Sequence, residues 1–313
     1  MPESSVDVYL GEKLAAYGFP NSHPFSIHRH DAFSQKFYKD GLDSKCNILP
    51  PVAATLEEIA LFHTSEYIKL VEEKSITGSG YLDRGDTPAF KGAFESASYV
   101  VGSALHATKS ILSKSDKAAF VPIAGLHHAR RNIASGFCIF NDCGVVIEYL
   151  LQQGLNKVAY IDIDAHHGDG VYYEFEDNPK VIFADIHESG KYLFPGTGYP
   201  YETGTGEAAG KKLNIEMNPE DGDEAFSEAW SQVENFIDSE KPEFILMQCG
   251  ADSVNGDPLT HLKYSASAHG RAAKALRELS RIHAGGKMLA VGGGGYNLEN
   301  IAAAWTAVVS SLI

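Results

Sequence analysis

The 313-residue chain has few cysteines, no long apolar run, no basic excess and no low-complexity tract. Its four cysteines, Cys46, Cys138, Cys143 and Cys249, are scattered with no CxxC spacing. That pattern is expected of free thiols in a reducing compartment. No apolar stretch approaches a membrane span. The opening Met1-Pro2-Glu3-Ser4-Ser5 has neither the basic nor the apolar segment of a secretory leader. A cytoplasmic location without a membrane partner is therefore expected. Lys and Arg number 26 against 41 Asp and Glu, for a net charge of −15. This argues against nonspecific nucleic-acid binding, which relies on a basic surface. An acidic field is compatible with cationic substrates.

What is present is apolar content of 44% and 30 glycines. The first suffices for a large core, and one α/β domain spanning 1–313 is expected. The second suits many tight strand-to-helix loops. Strand-like runs lie at Val6 to Leu10, Ala118 to Ile123, Val158 to Ile163, Val181 to Ile186, Lys212 to Ile215, Phe244 to Gln248 and Met288 to Val291. Helical patterns fall between several of them, at Ala93 to Leu112, Cys143 to Gln153, Asp223 to Ser239 and Ala266 to Ala284. This alternation predicts an α/β fold, a mostly parallel sheet covered by helices. The first ninety residues read as short helices (Leu56 to Phe62, Ser65 to Glu73) and long loops over the sheet's carboxyl edge.

The densest chemistry is Asp162-Ile163-Asp164-Ala165-His166-His167-Gly168-Asp169-Gly170, directly after a strand-like run. Ligands of open α/β sheets bind beyond the carboxyl ends of strands. Asp164 and His166 are two apart, so an extended backbone points them the same way. A carboxylate and an imidazole converging in this manner suit a divalent transition metal. Four other strands also end in polar or glycine-rich clusters: His127-His128, Asp185 with His187, Gly250-Ala251-Asp252, and Gly292 to Gly295 followed by Tyr296. One converging active site is the economical account.

With these motifs, the chain resembles the zinc-dependent histone deacetylases of the arginase/deacetylase fold, above all the acetoin-utilisation-type deacetylases of bacteria and archaea. The resemblance runs from His23-Pro24 to Trp305. It also rests on Gly125-Leu126-His127-His128-Ala129, Ser135-Gly136-Phe137-Cys138 and Phe194-Pro195-Gly196-Thr197-Gly198. It implies a three-layer α/β/α fold and Zn²⁺ on Asp164, His166 and Asp252; such oxygen-rich ligands also suit Fe²⁺. It implies His128 as general base, His127 as an electrostatic or accessory acid group, and Asp162 and Asp169 as the carboxylates behind them. Tyr296 would donate to the developing oxyanion. Gly136, Phe137 and Phe194 would line an acyl-lysine tunnel, Asp86 would bind the substrate backbone at its rim, and Leu259 would stand where some polyamine-selective relatives carry Glu. Arg29 would lie near an acetate channel or form a structural ion pair. A K⁺ site is implied on Asp162, Asp164, His166, Asp185 and Ile186, and a second monovalent site near Phe175, Asn178 and Val181.

The implied reaction is hydrolysis of N-acetyl groups to acetate, with N-ε-acetyl-lysine of proteins as the expected substrate. An acetylpolyamine deacetylase is the first rival. A two-manganese ureohydrolase would need further bridging carboxylates, but Gly168 and Val254 stand at two such positions. A non-catalytic acyl-lysine reader would have no need to keep Tyr296 and His128. The sequence leaves the oligomeric state open.

Overall fold

The computed structural model describes residues 6–313. Among the described residues, eight strands form one sheet, all parallel: β1 Val6–Tyr9, β2 Asn47–Leu49, β3 Ala118–Val121, β4 Val158–Asp162, β5 Val181–Glu188, β6 Lys212–Met217, β7 Phe244–Gln248 and β8 Met288–Val291. Their order across the sheet is β2-β1-β3-β8-β7-β4-β5-β6. The three central strands β8, β7 and β4 are buried at every residue, as a parallel sheet covered on both faces requires. Helices cover it in an α/β/α arrangement, so the expectation of a mostly parallel sheet becomes a wholly parallel one.

The helices follow from amphipathic spacing. In Asp223–Glu240 the buried positions are Phe226, Ala229, Trp230, Val233 and Ile237, one stripe on a 3.6-residue repeat. Asn141 caps the helix Asp142–Gln152 by accepting from Gly144 N at 2.8 Å. The helix Ala93–Leu112 is buried over most of its surface.

Beyond the short helix Asp169–Tyr172, three elements in particular differ from the sequence expectation. The segment His28–Lys39 is a helix rather than a loop over the site. Its Phe33 packs on Trp305, with ring centroids 5.8 Å apart. That tryptophan belongs to a second unanticipated helix, Leu298–Leu312, capped by the side chain of Asn297. The third is β2, a three-residue edge strand too short to carry a period.

Five adjacent strands, β3, β8, β7, β4 and β5, lead into the polar clusters noted above. Parallel pairing puts all five carboxyl ends on one edge. Asp162 lies opposite Asp185 on β5 and opposite Gln248 on β7.

Gly102 shows how tightly the helical layer is fitted. A Cβ there would stand 2.2 Å from Ala54 N and 2.3 Å from Val52 O, both main-chain atoms. Helix propensity alone would have Gly102→Ala stabilise by about 1 kcal/mol. We expect the opposite sign, a loss of about 1–3 kcal/mol from overpacking against backbone. A urea midpoint at or above that of the parent chain would contradict this.

Candidate metal centre and its histidine pair

The loop after β3 is shaped by a buried carboxylate. Asp142 accepts from Gly125 N at 2.8 Å and Leu126 N at 2.9 Å, which aims His127 and His128 toward β4. His127 Nδ1 lies 2.7 Å from Asp162 Oδ2, and His128 Nδ1 lies 2.7 Å from Asp169 Oδ1. With those nitrogens engaged, both Nε2 atoms face one point and stand 3.1 Å apart. Gly136 permits this packing: its φ is 53°, and a Cβ there would be 2.4 Å from His128 Cδ2.

The two rings differ electrostatically although they are neighbours. Burial alone would lower both pKa values. For His127 the charges of Asp162 and Asp164 overcome burial and raise it to about 10. For His128 burial is reinforced by the charge on His127, and the value falls to about 4. The two directions favour the proton on His127 over His128.

Beside this pair, Asp164, His166 and Asp252 are all buried, and one donor atom from each lies within 4.8 Å of the others. His166 Nδ1 is 3.0 Å from Asp164 Oδ1 and 3.1 Å from Asp252 Oδ2. Donors about 2.0–2.2 Å from a tetrahedral ion lie a little over 3 Å apart, so the spacing suits a small divalent metal. The other carboxylate oxygens are tied back: Asp164 Oδ2 accepts from Gln248 Nε2 and Gly294 N, each at 2.8 Å, and Asp252 Oδ1 accepts from Ala165 N at 2.9 Å. Burial opposes charge on His166, but Asp164 and Asp252 raise its pKa to about 10. The position favours positive charge, which a metal ion would supply in place of that proton. The residues therefore fit a divalent ion.

Tyr296 closes the same narrow cavity, which is lined by His127, His128, Gly136, Asp164, His166 and Gly294, among others. The glycine run before it is needed for space: a Cβ on Gly294 would be 2.1 Å from Asp252 Oδ2. Tyr296 N donates to Asp257 Oδ2 at 2.8 Å. Burial, then the charges of Asp252 and Asp164, push its phenol pKa well up, so the hydroxyl stays a donor.

Phe137 packs edge-on against Tyr296 at 5.9 Å, and Phe194 against His128 at 5.1 Å. Phe194 and Asp86 also line a wider outer cavity of about 630 Å³, together with Arg84 and Arg130. Leu259 lines neither cavity, although Asp257 holds its amide at 3.0 Å. Arg29 is buried, and of its two expected roles the ion pair gives way to main-chain bonds: it donates to the carbonyls of Gly295 at 2.8 Å and Gly293 at 2.5 Å, bracing the glycine loop.

The positions expected to offer a monovalent ion main-chain oxygens, Asp162, Asp164, His166 and Ile186, and a side-chain oxygen, Asp185, are all buried at or just beyond the carboxyl ends of β4 and β5. Asp185 Oδ2 accepts from Gly168 N at 2.8 Å and Oδ1 faces His187 Nδ1 at 2.7 Å. Such a concentration of negative charge suits a cation. The second position does not fit one, because the Lys212 side-chain nitrogen already bonds the carbonyls of Asn178 and Val181. A side chain at Gly168 has no room either, with a Cβ 2.7 Å from Asp162 Oδ2.

Several working residues escaped the sequence reading. Tyr160 donates to Asp162 Oδ2 at 2.5 Å, and Arg130 to Asp169 Oδ2 at 3.1 Å. Asp142 and Asp257 position the loops. Gln248 joins Asp164, Gly125 O and Gly250 N. A polar residue ending an otherwise apolar strand was the available signal for Gln248.

Fold and site together define a three-layer α/β/α protein with a carboxylate-rich candidate metal centre beside a tandem-histidine pair. The histone deacetylase domain model matches residues 23–312, and the chain belongs to that family. It is 38% identical to the acetoin utilization protein AcuC of Bacillus subtilis over 95% of this chain and 79% of that protein. It is 35% identical to a probable deacetylase of Archaeoglobus fulgidus over 80% of this chain and 70% of that protein. Among solved structures, the HD domain of HDA15 superposes with a TM-score of 0.91 at 28% identity, covering 99% of this chain and 88% of that one. Among the described residues, no helix is long and apolar enough to cross a membrane.

The ligand set has a direct test. Elemental analysis should find Asp252→Ala depleted of divalent metal. Gln248→Leu, which removes one of the two donors to Asp164 Oδ2, should weaken metal affinity about 10–100-fold. Full occupancy in Asp252→Ala after dialysis against a weak chelator would rule out Asp252 as a ligand.

Proposed function

We propose that this chain is a divalent-metal-dependent deacetylase that hydrolyses N-acetyl groups from amines, foremost N-ε-acetyl-lysine, releasing acetate. The observation that carries this reading is the convergence of the His127–His128 pair, the three candidate ligands and Tyr296 on one narrow, buried cavity. Membership of the histone deacetylase family and the similarity to a probable deacetylase of an archaeon support the same reading. The reading treats the chain as one catalytic domain.

A divalent ion, Zn²⁺ or Fe²⁺, would be held by Asp164, His166 and Asp252 and would supply Lewis-acid polarisation and water activation. The remaining chemistry belongs to side chains. His128 Nε2 takes a proton from the attacking water, and Asp169 fixes the ring tautomer through Nδ1. His127 remains protonated against Asp162 and stabilises the negative charge that develops. Tyr296 keeps its proton and donates a hydrogen bond from its hydroxyl to the acyl oxygen as that oxygen gains charge. His128 then returns its proton to the departing amine. Phe137 and Phe194 bury the aliphatic chain, and Asp86 at the outer cavity accepts from the substrate backbone. K⁺ near Asp162 and Asp185 would offset part of the buried negative charge.

The test is acetate release from an acetyl-lysine peptide and from N-acetylputrescine, with and without chelator. The peptide should be preferred. Preference for the acetylpolyamine would overturn the substrate assignment and leave the reaction class standing. No acetate from either substrate with any divalent metal would favour a reader.

Tyr296→Phe should lower kcat about 10²–10³-fold with metal content and melting temperature unchanged, the loss typical of one oxyanion donor. Near-normal turnover would reduce Tyr296 to a packing residue. His128 must be neutral to act, and its pKa is lowered, so the neutral form prevails above the folded value. The acid limb of kcat/KM should therefore lie below the ordinary imidazole value of about 6.5. His128→Ala should remove at least about 10²-fold in turnover. A larger loss in His127→Ala would exchange the two roles.

A further inference from the structure

The turn from residue 173 to 180 joins the short helix Asp169–Tyr172, which carries the partner of His128, to β5, which carries Asp185. Its inner side is a set of main-chain oxygens. Asn178 N donates to Phe175 O at 3.1 Å, and Val181 N to Asn178 O at 3.3 Å. Into this turn projects Lys212, the first residue of β6, paired in register with Phe183. Lys212 is 2% exposed, and its Nζ donates to Asn178 O at 3.0 Å and also to Val181 O. Both partners are carbonyls rather than carboxylates. Burial draws the Lys212 pKa down to about 7, with Asp177 acting in the opposite direction. A buried ammonium held by carbonyl dipoles is what a bound alkali-metal ion would otherwise be.

We propose that Lys212 is a tethered monovalent cation: its ammonium occupies the coordination position formed by the Asn178 and Val181 carbonyls, so that this turn needs no K⁺. The covalent link changes the energetics. A free ion stabilises the folded state in proportion to its concentration. A lysine nitrogen is present at fixed stoichiometry in any salt. The turn that positions Asp169 and Asp185 would then hold its shape at low K⁺. This assignment does not depend on the reaction proposed above.

Thallium(I), an electron-dense K⁺ mimic, tests it in the wild-type chain. Anomalous diffraction from crystals grown in a thallium(I) salt should show no peak between the carbonyl oxygens of Asn178 and Val181. A peak there overturns the proposal, whatever happens elsewhere in the molecule. The second arm compares melting in tetramethylammonium chloride and in KCl. Lys212→Ala should melt lower than wild type in the former and recover by about 3 °C or more beyond the wild-type response in the latter. Equal responses of the two chains to K⁺ would show that Lys212 replaces no ion. If Lys212→Ala does not fold, the wild-type anomalous map still decides the question.

Discussion

The governing constraint is negative charge buried at one edge of the sheet. Asp162, Asp164, Asp169, Asp185 and Asp252 are all buried. Uncompensated, such a cluster would cost several kcal/mol per ion. Its partners account for most of the local structure. His127 and His128 each take one carboxylate, and His166 stands between two others. Main-chain N–H groups of Gly168, Gly294 and Ala165 satisfy further oxygens. What these donors leave over at Asp164, His166 and Asp252 suits a divalent cation.

That charge also dictates the loops. At two points the backbone comes so close to a carboxylate that only glycine fits. Gly250 and Gly294 both pass so close to the metal-site carboxylates that a Cβ would lie 2.0–2.1 Å from an oxygen. Arg29, with no carboxylate among its hydrogen-bond partners, spends its guanidinium on the carbonyls of the same glycine loop. The loop is therefore held from both sides, and Tyr296 is carried at its end. Here packing and electrostatics are one requirement: the glycines supply the space, and the buried charges set where the backbone must go.

The pair His127–His128 shows how the environment separates two identical side chains. Both are buried and both face a carboxylate. His127 has two aspartates close by, and His128 has a protonated histidine as its neighbour. One proton on the first ring lowers the affinity of the second. The division into a charged group and a basic group thus comes from position in the sheet, not from residue type.

Much of this was legible in the chain itself. Strand-like runs located seven of the eight strands and the edge that carries the site; the central ones were plainest, because a parallel strand buried on both faces is nearly continuously apolar. The Asp164–His166 pair was legible because an i, i+2 relation is local. The helices His28–Lys39 and Leu298–Leu312 were missed; they pack on each other through Phe33 and Trp305, a contact distant in sequence. Only the tertiary structure decided that Gln248 braces Asp164, that Asp142 aims the histidine loop, that the two Nε2 atoms meet, and that Lys212 fills the turn below β5. Each depends on the direction of a side chain across strands or loops far apart in sequence. Residue type and spacing determine which groups can reach a common edge; the packing of the sheet determines which atoms face each other there.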